Sequence, residues 1–174
     1  MCGLAGFLGM DAVTAKPAAR TVGRMTGALR HRGPDDAGYW IDREAGVALG
    51  HRRLAILDLS SAGQQPMHSA CGRYVIVFNG EIYNFQALRD ELKPRQISWR
   101  GHSDTEVLLA AIVEFGLDGA LKRCAGMFAF ALWDRQERML TLARDRIGEK
   151  PLYYGWQNGV FLFGSELKAM RAHP

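Results

Sequence analysis

The chain opens Met1-Cys2-Gly3-Leu4-Ala5-Gly6, with a cysteine directly after the initiator methionine. Cysteine is small enough for a methionine aminopeptidase to remove Met1. Cys2 would then carry a thiol and a free α-amine on one residue. A free α-amine titrates near about 7.7–8.0 and a free thiol near about 8.5. Nucleophile and base would come assembled together, both titrating close to neutral pH, as attack on a carbonyl requires. Removal of Met1 is essential, because an acylated α-nitrogen is an amide and accepts no proton. Taken alone, Cys2 also fits an accident of the start codon; its weight comes from the residues that follow.

A thiol nucleophile needs oxyanion donors and groups that hold a substrate. Arg73-Tyr74-Val75-Ile76-Val77-Phe78 is a strongly β-prone run that ends at Asn79-Gly80, and Asn-Gly is the strongest short-range hairpin signal. The pattern predicts a tight turn presenting two donors, the Asn79 side-chain amide and the Gly80 N–H. Donors aimed at a developing oxyanion are worth roughly 2.7–4 kcal/mol each. Asp104 falls in the first turn of a predicted helix, where the helix dipole favours a carboxylate and where it could also meet a substrate ammonium. Arg53, beside the apolar Leu54-Ala55-Ile56-Leu57 run, could form a bidentate pair with a carboxylate. Glu81 could help to hold an ammonium. Each has an ordinary alternative: a plain hairpin turn, simple charge compensation, a solvated edge arginine, a surface glutamate. Together they describe a pocket for an α-amino acid, with a thiol and an oxyanion hole for its side-chain carbonyl.

Positioning these groups falls to strands and helices of mixed order. Gly3 to Gly9 reads as a buried first strand with Cys2 at its tip. Ala18 to Leu29 places Val22, Met25 and Leu29 at helical spacing, and His31-Arg32-Gly33-Pro34-Asp35-Asp36 breaks that helix. Tyr39–Ile41 and Val47–Leu49 read as short strands, followed by a mostly apolar stretch over 53–59 and a polar loop, Ser60–Pro66. Glu81-Ile82-Tyr83 returns from the predicted turn, and Asn84 is placed to cap a helix reaching about Leu92. Ser103-Asp104-Thr105-Glu106 fits a capping box, with Val107, Leu108, Ala111, Ile112 and Phe115 marking one apolar face behind it. Gly126–Trp133, Met139–Ala143, Leu152–Trp156 and Val160–Phe163 read as strands. The first of these alternates so poorly that burial on both faces is expected. Glu166-Leu167-Lys168-Ala169-Met170 predicts a last helix, and the ending resembles a cut at a domain boundary. Buried strands with amphipathic helices that do not strictly alternate indicate an α+β fold.

A chain of 174 residues, 48% of them hydrophobic, suffices for one domain with a real core. Neither a bilayer-spanning run nor a secretory signal pattern is present in the sequence. Three cysteines (Cys2, Cys71, Cys124) lack metal-ligand spacing, so free thiols and a reducing, cytoplasmic setting are expected. Cys71 reads as a turn residue and Cys124 as core. Net charge is +4 with scattered basic residues, which argues against a nucleic-acid partner.

Along its whole length the sequence resembles the glutaminase domain of glutamine-hydrolysing asparagine synthetases, among the class II, N-terminal-nucleophile glutamine amidotransferases. The segments that carry the resemblance begin with Met1-Cys2-Gly3, Arg30-His31-Arg32-Gly33-Pro34-Asp35, Gly50 to Asp58, and Gln65-Pro66-Met67. They continue with Phe78 to Asn84, Ser103 to Leu108, Gly126 to Asp134, Arg144 to Tyr154, and Ser165 to Ala169. The resemblance implies a four-layer αββα sandwich of two antiparallel sheets over residues 1–174. It implies Cys2 as nucleophile with its own α-amine as base, and Asn79 and Gly80 as the oxyanion hole. Arg53 would hold the carboxylate of L-glutamine, Glu81 and Asp104 its ammonium, and Leu54, Ala55, Ile56 and Leu57 would line the pocket. A γ-glutamyl thioester would form and be hydrolysed to glutamate, the ammonia passing to an ATP-dependent synthetase domain that makes asparagine from aspartate. That domain is expected in cis after residue 174, with ATP and Mg there and no cofactor or metal in this domain. A homodimer of the full-length protein is a further arrangement open to it.

Two alternatives stand beside this reading. One keeps the glutaminase and changes the acceptor to a sugar acid or another carboxylate, a choice that lies in the following domain. The other is a catalytically silent glutamine-binding module; loss of Cys2, Asn79 or Asp104 would have pointed to it, and all are present.

Overall fold

Small and apolar residues in Gly3-Leu4-Ala5-Gly6-Phe7-Leu8 allow a strand to be covered on both faces, and Gly3–Leu8 forms β1 with all but its last residue buried. The computed structural model describes residues 1–9, 17–55 and 60–174. After β1 come α1 (Pro17–Gly27), β2 (Asp36–Asp42), β3 (Val47–Arg53), β4 (Met67–His68) and β5 (Tyr74–Ile82). Then follow α2 (Phe85–Glu91), α3 (Asp104–Arg123), β6 (Gly126–Asp134), β7 (Met139–Arg144), β8 (Tyr153–Gln157), β9 (Val160–Gly164) and α4 (Leu167–Arg171).

The strands form two antiparallel sheets, ordered β2-β3-β1-β9-β8 and β4-β5-β6-β7. Alternation along each strand sorts its side chains into layers. Leu4, Val47, Leu49 and Phe163 of the first sheet meet Val75, Val77, Ala131 and Trp133 of the second between the sheets. On the outer face of the first sheet, Ala5, Phe7, Ala48 and Leu162 pack under Val22, Met25 and Ala169 of α1 and α4. On the outer face of the second, Ile76, Phe78, Phe130 and Leu132 pack under Leu88, Val107, Leu108 and Ile112 of α2 and α3. The result is helix, sheet, sheet, helix, the sandwich that the resemblance implied. β6 is buried on both faces as expected.

The capping box at the start of α3 is half formed. The Ser103 hydroxyl accepts the Glu106 N–H at 3.2 Å. The Glu106 carboxylate instead turns back to the N–H groups of Arg100 and Gly101, at 2.8 and 3.0 Å. α3 kinks at Gly116, whose φ of 71° only glycine adopts easily.

Two local expectations are corrected. Asn79-Gly80 is not a turn: β5 runs straight through it, with Asn79 opposite Ala129 and Gly80 opposite Phe128. A long partner strand overrides the local preference of the dipeptide. Gly80 is needed for close approach instead, because a Cβ there would lie 2.3 Å from the Met127 carbonyl oxygen. Asn84 precedes α2 but makes no side-chain cap. Its amide donates to the Arg123 carbonyl at 2.8 Å and accepts the Ala125 N–H at 2.9 Å, joining the end of α3 to the start of β6.

Candidate active site

The pairing of β1 with β3 sets Gly3 opposite Arg52, so Cys2 emerges beside the end of β3 and the residues after it. The Cys2 thiol is half-buried and lies 3.6 Å from the Leu54 carbonyl oxygen, to which it donates, and 3.4 Å from the Leu54 nitrogen, from which it accepts. Burial pushes the thiol above its ordinary value; the Leu54 N–H, the terminal amine and Arg53 each offset part of that rise, and Asp104 adds to it.

The loop after α1 braces this corner. Arg32 donates through Nε to the Cys2 carbonyl at 2.9 Å and through Nη1 to Glu166 at 3.1 Å. The Asp35 carboxylate accepts the Ala55 N–H at 2.9 Å. Ser165 closes the other side: its N–H donates to the Leu4 carbonyl at 2.8 Å and its hydroxyl accepts the Leu4 N–H at 3.0 Å.

The opposite wall comes from β5 and α3. Backbone N–H groups alternate sides along a strand. The Phe78 N–H donates to Gln65 Oε1 at 2.6 Å, and the Ile82 N–H to Asp104 Oδ2 at 2.9 Å. Gly80 lies midway between them, so its N–H points the same way, off the β6 side of the sheet. β4 pairs only with Ile76 and Val75 and does not reach it. Independent support comes from Phe128, opposite Gly80, whose N–H and carbonyl are both turned to Asp145, at 3.2 and 2.8 Å.

Asn79 is 1% exposed, and its Nδ2 has no hydrogen-bond partner among the described residues. An unpaired buried donor costs free energy, so a donor kept unpaired beside a cleft fits a ligand oxygen. The strand just before it is held tightly, since His51 donates from Nε2 to the Phe78 carbonyl at 2.9 Å. Burial pulls His51 down to about 4, which keeps it neutral and leaves that nitrogen its proton at neutral pH. Asp104 is 6% exposed at the first position of α3. Burial raises its carboxyl above the usual range, against the hydrogen bonds from Ile82 and Thr105.

One cleft of about 150 Å³ joins these groups, lined by Cys2, Arg53, Leu54, Asn79, Gly80, Glu81 and Asp104 together with Gln65 and Lys150. Seven of the eight sequence-derived site residues whose positions are described therefore line one cleft. Arg53 is half-buried and donates to the Ser60 carbonyl at 3.1 Å. Glu81 is exposed at the cleft mouth. Ala55 is half-buried but outside the lining, its N–H taken by Asp35. Ile56 and Leu57 lie outside the described residues.

The whole chain, residues 1–174, matches the family model described as a glutamine amidotransferase domain. The chain belongs to that family. It is 43% identical over 178 residues to asparagine synthetase [glutamine-hydrolyzing] 3 of Bacillus subtilis, covering all of this chain and 28% of that protein. It is 36% identical to a putative asparagine synthetase [glutamine-hydrolyzing] 2 of Methanocaldococcus jannaschii, covering 99% of this chain and 35% of that protein. A protein named amidase chry2 from Gibberella zeae is also 36% identical, over 99% of this chain and 26% of its own length. The chain thus spans about a third or less of these curated relatives. Among solved structures, glutamine phosphoribosylpyrophosphate amidotransferase from B. subtilis superposes with a TM-score of 0.80 at 21% identity, over 98% of this chain and 43% of that one. At that identity the likeness speaks to the fold alone.

Besides the His51 that holds Phe78, two residues of the amidotransferase domain escaped the sequence reading. Gln65 braces β5 through Phe78 and reaches Thr105 with its amide at 3.5 Å; the only signal for it was the Gln65-Pro66-Met67 segment. Lys150 is 6% exposed and lines the cleft. A buried lysine has no local sequence signature.

Proposed function

We propose that this amidotransferase domain hydrolyses the side-chain amide of L-glutamine through a γ-glutamyl thioester on Cys2, after removal of Met1. Supporting this is one observation above all: the Cys2 thiol, the unpartnered Asn79 amide and the Asp104 carboxylate share one cleft. Glutamine enters with its carboxylate toward Arg53 and its ammonium toward Asp104 and Glu81. The α-amine of Cys2 takes the thiol proton, and the thiolate attacks the side-chain amide carbon. The tetrahedral oxyanion receives hydrogen bonds from Asn79 Nδ2 and the Gly80 N–H, both pre-positioned and therefore costing little reorganisation. The α-ammonium returns the proton to the departing nitrogen, and ammonia leaves. Water, deprotonated by the same amine, cleaves the thioester to glutamate and free thiol.

The ammonia serves ATP-dependent amidation of aspartate to asparagine by a synthetase domain that follows in cis, where ATP and Mg belong. The names of the relatives and their greater length support this assignment.

The test is intact mass spectrometry before and after a glutamine-mimicking diazoketone, run beside Cys2→Ala. Loss of Met1 with a single adduct on Cys2, and no ammonia release by Cys2→Ala while glutamine still binds, would support the mechanism. Glutaminase turnover by protein that demonstrably retains Met1 would overturn it.

A further inference from the structure

Lys150 is a buried cation that the mechanism above leaves unused. It follows the Asp145 turn, where the Asp145 carboxylate accepts the N–H groups of Glu149 and Lys150 at 2.8 and 3.1 Å. That anchorage aims the side chain into the cleft rather than toward solvent, where a lysine stem usually carries its ammonium. Its Nζ lies 3.5 Å from the Met1 sulfur and has no carboxylate within 4.0 Å among the described residues. The Met1 sulfur is only a few bonds from the Cys2 nitrogen. Removing Met1 therefore takes away the ammonium's recorded contact and leaves it in the same cleft as the newly exposed α-amine.

The other charges around that amine are already matched. Arg32, from the loop after α1, is paired with Glu166, which also meets His31 and Lys168. In the proposed complex, Arg53 of β3 meets the glutamine carboxylate, and Asp104 of α3 and Glu81 of β5 meet its ammonium. Among the described residues, Lys150 is thus a charge in the cleft of the base that no carboxylate compensates.

We propose that Lys150 is a positioning residue that holds the α-amine of processed Cys2 in its neutral, proton-accepting form, an inference that rests on the function proposed above. A fixed positive charge nearby disfavours a second one, so the amine stays unprotonated to lower pH than it otherwise would. When the amine accepts the thiol proton, the neighbouring thiolate offsets the new charge, and the same cation then favours transfer of that proton onward to the leaving nitrogen.

The pH dependence of glutamine hydrolysis in the processed full-length protein tests this, with Lys150→Met and Lys150→Arg beside the wild type. Lys150→Met is expected to move the acid limb of kcat/KM up by about one pH unit, and Lys150→Arg to restore it; KM at the pH optimum should change little. An acid limb that stays in place in an active Lys150→Met protein overturns the proposal. If Lys150→Met does not fold, Lys150→Gln takes its place. In ¹⁵N-cysteine-labelled protein only Cys2 gives an amine signal, and its titration midpoint should rise in the variant. That titration reads Lys150 even in protein that hydrolyses no glutamine, so failure of this inference and failure of the glutaminase reading are told apart. An unchanged midpoint overturns the inference.

Discussion

The Asp104 carboxylate accepts the Ile82 N–H at 2.9 Å, which ties the first turn of α3 to β5 two residues beyond Gly80. The same carboxylate lines the cleft, so one side chain serves the scaffold and, in the proposed complex, the substrate ammonium.

Asp104→Asn separates these two roles, because the amide oxygen can still accept the Ile82 N–H. Burial raises the folded-state value of Asp104, so the folded protein holds this proton more tightly than the unfolded chain does. Ionisation therefore removes stability as pH rises through the unfolded value of about 3.9 and then the folded one. The variant should melt at an equal or higher temperature at pH 7, with the difference fading in acid. Its kcat/KM for glutamine should fall roughly 10- to 100-fold, mostly in KM, as for loss of a charged hydrogen bond. An unchanged KM would count against the ammonium contact.

Asn79→Ala should reduce kcat by roughly 10²–10³, the loss seen when an oxyanion donor is removed. Its Nδ2 makes no hydrogen bond to the described residues, so no such bond is lost on folding in the variant. A melting temperature within a few degrees of wild type, measured beside kcat, is the expected pair of results. A large loss of stability with proportionate loss of activity would point to a purely structural role.

Gly80→Ala is expected to fail by packing. The added Cβ would meet the Met127 carbonyl oxygen at 2.3 Å and Phe128 Cα at 2.6 Å, both backbone atoms of a paired strand that cannot step aside. A cost of about 2–3 kcal/mol corresponds to a melting temperature lower by roughly 5–10 °C. Thermal unfolding of the variant checks this directly; a wild-type midpoint would mean that β5 and β6 separate easily here.

Glu166→Gln tests the support behind Cys2. Partial burial raises the Glu166 carboxyl, but Arg32, Lys168 and His31 outweigh it and bring it down to about 2. A depressed folded-state value stabilises the protein above the unfolded value, and that contribution is lost as pH falls from about 4.5 toward about 2. With the side chain 26% exposed, solvent limits the effect to about 1 kcal/mol. The wild type should therefore lose its advantage over the variant across that window in acid melts. Because Arg32 also holds the Cys2 carbonyl, kcat should drop several-fold at neutral pH.

Periodicity made β1, α1, the apolar face of α3 and the doubly buried β6 readable, since each buries a regular pattern. It misled at Asn79-Gly80, where local turn preference competes with a ladder running from Tyr74 to Ile82. Both residues line the cleft, but by a different geometry from the one expected: strand alternation, not a turn, aims the Gly80 N–H. Asn84 was misread for a related reason, because its partners lie near residue 124, far along the chain. Cys2, Arg53, Asn79 and Asp104 could be named because their chemistry is distinctive. Gln65, His51 and Lys150 act through partners remote in sequence, which no local pattern encodes.

The central position of β5 between β4 and β6, set against the terminal position of Cys2, gives the two walls of the cleft different resistance to opening. Asn79 sits inside a ladder with apolar layers on both faces, so its surroundings open only when the domain unfolds as a whole. Cys2 precedes the first ladder pair, Gly3 with Arg52, and belongs to a segment that frays at little cost. Mild denaturant should therefore silence the enzyme by releasing its thiol while the β5–β6 ladder amides around Asn79 stay protected from hydrogen exchange, and dilution should restore activity without any refolding step.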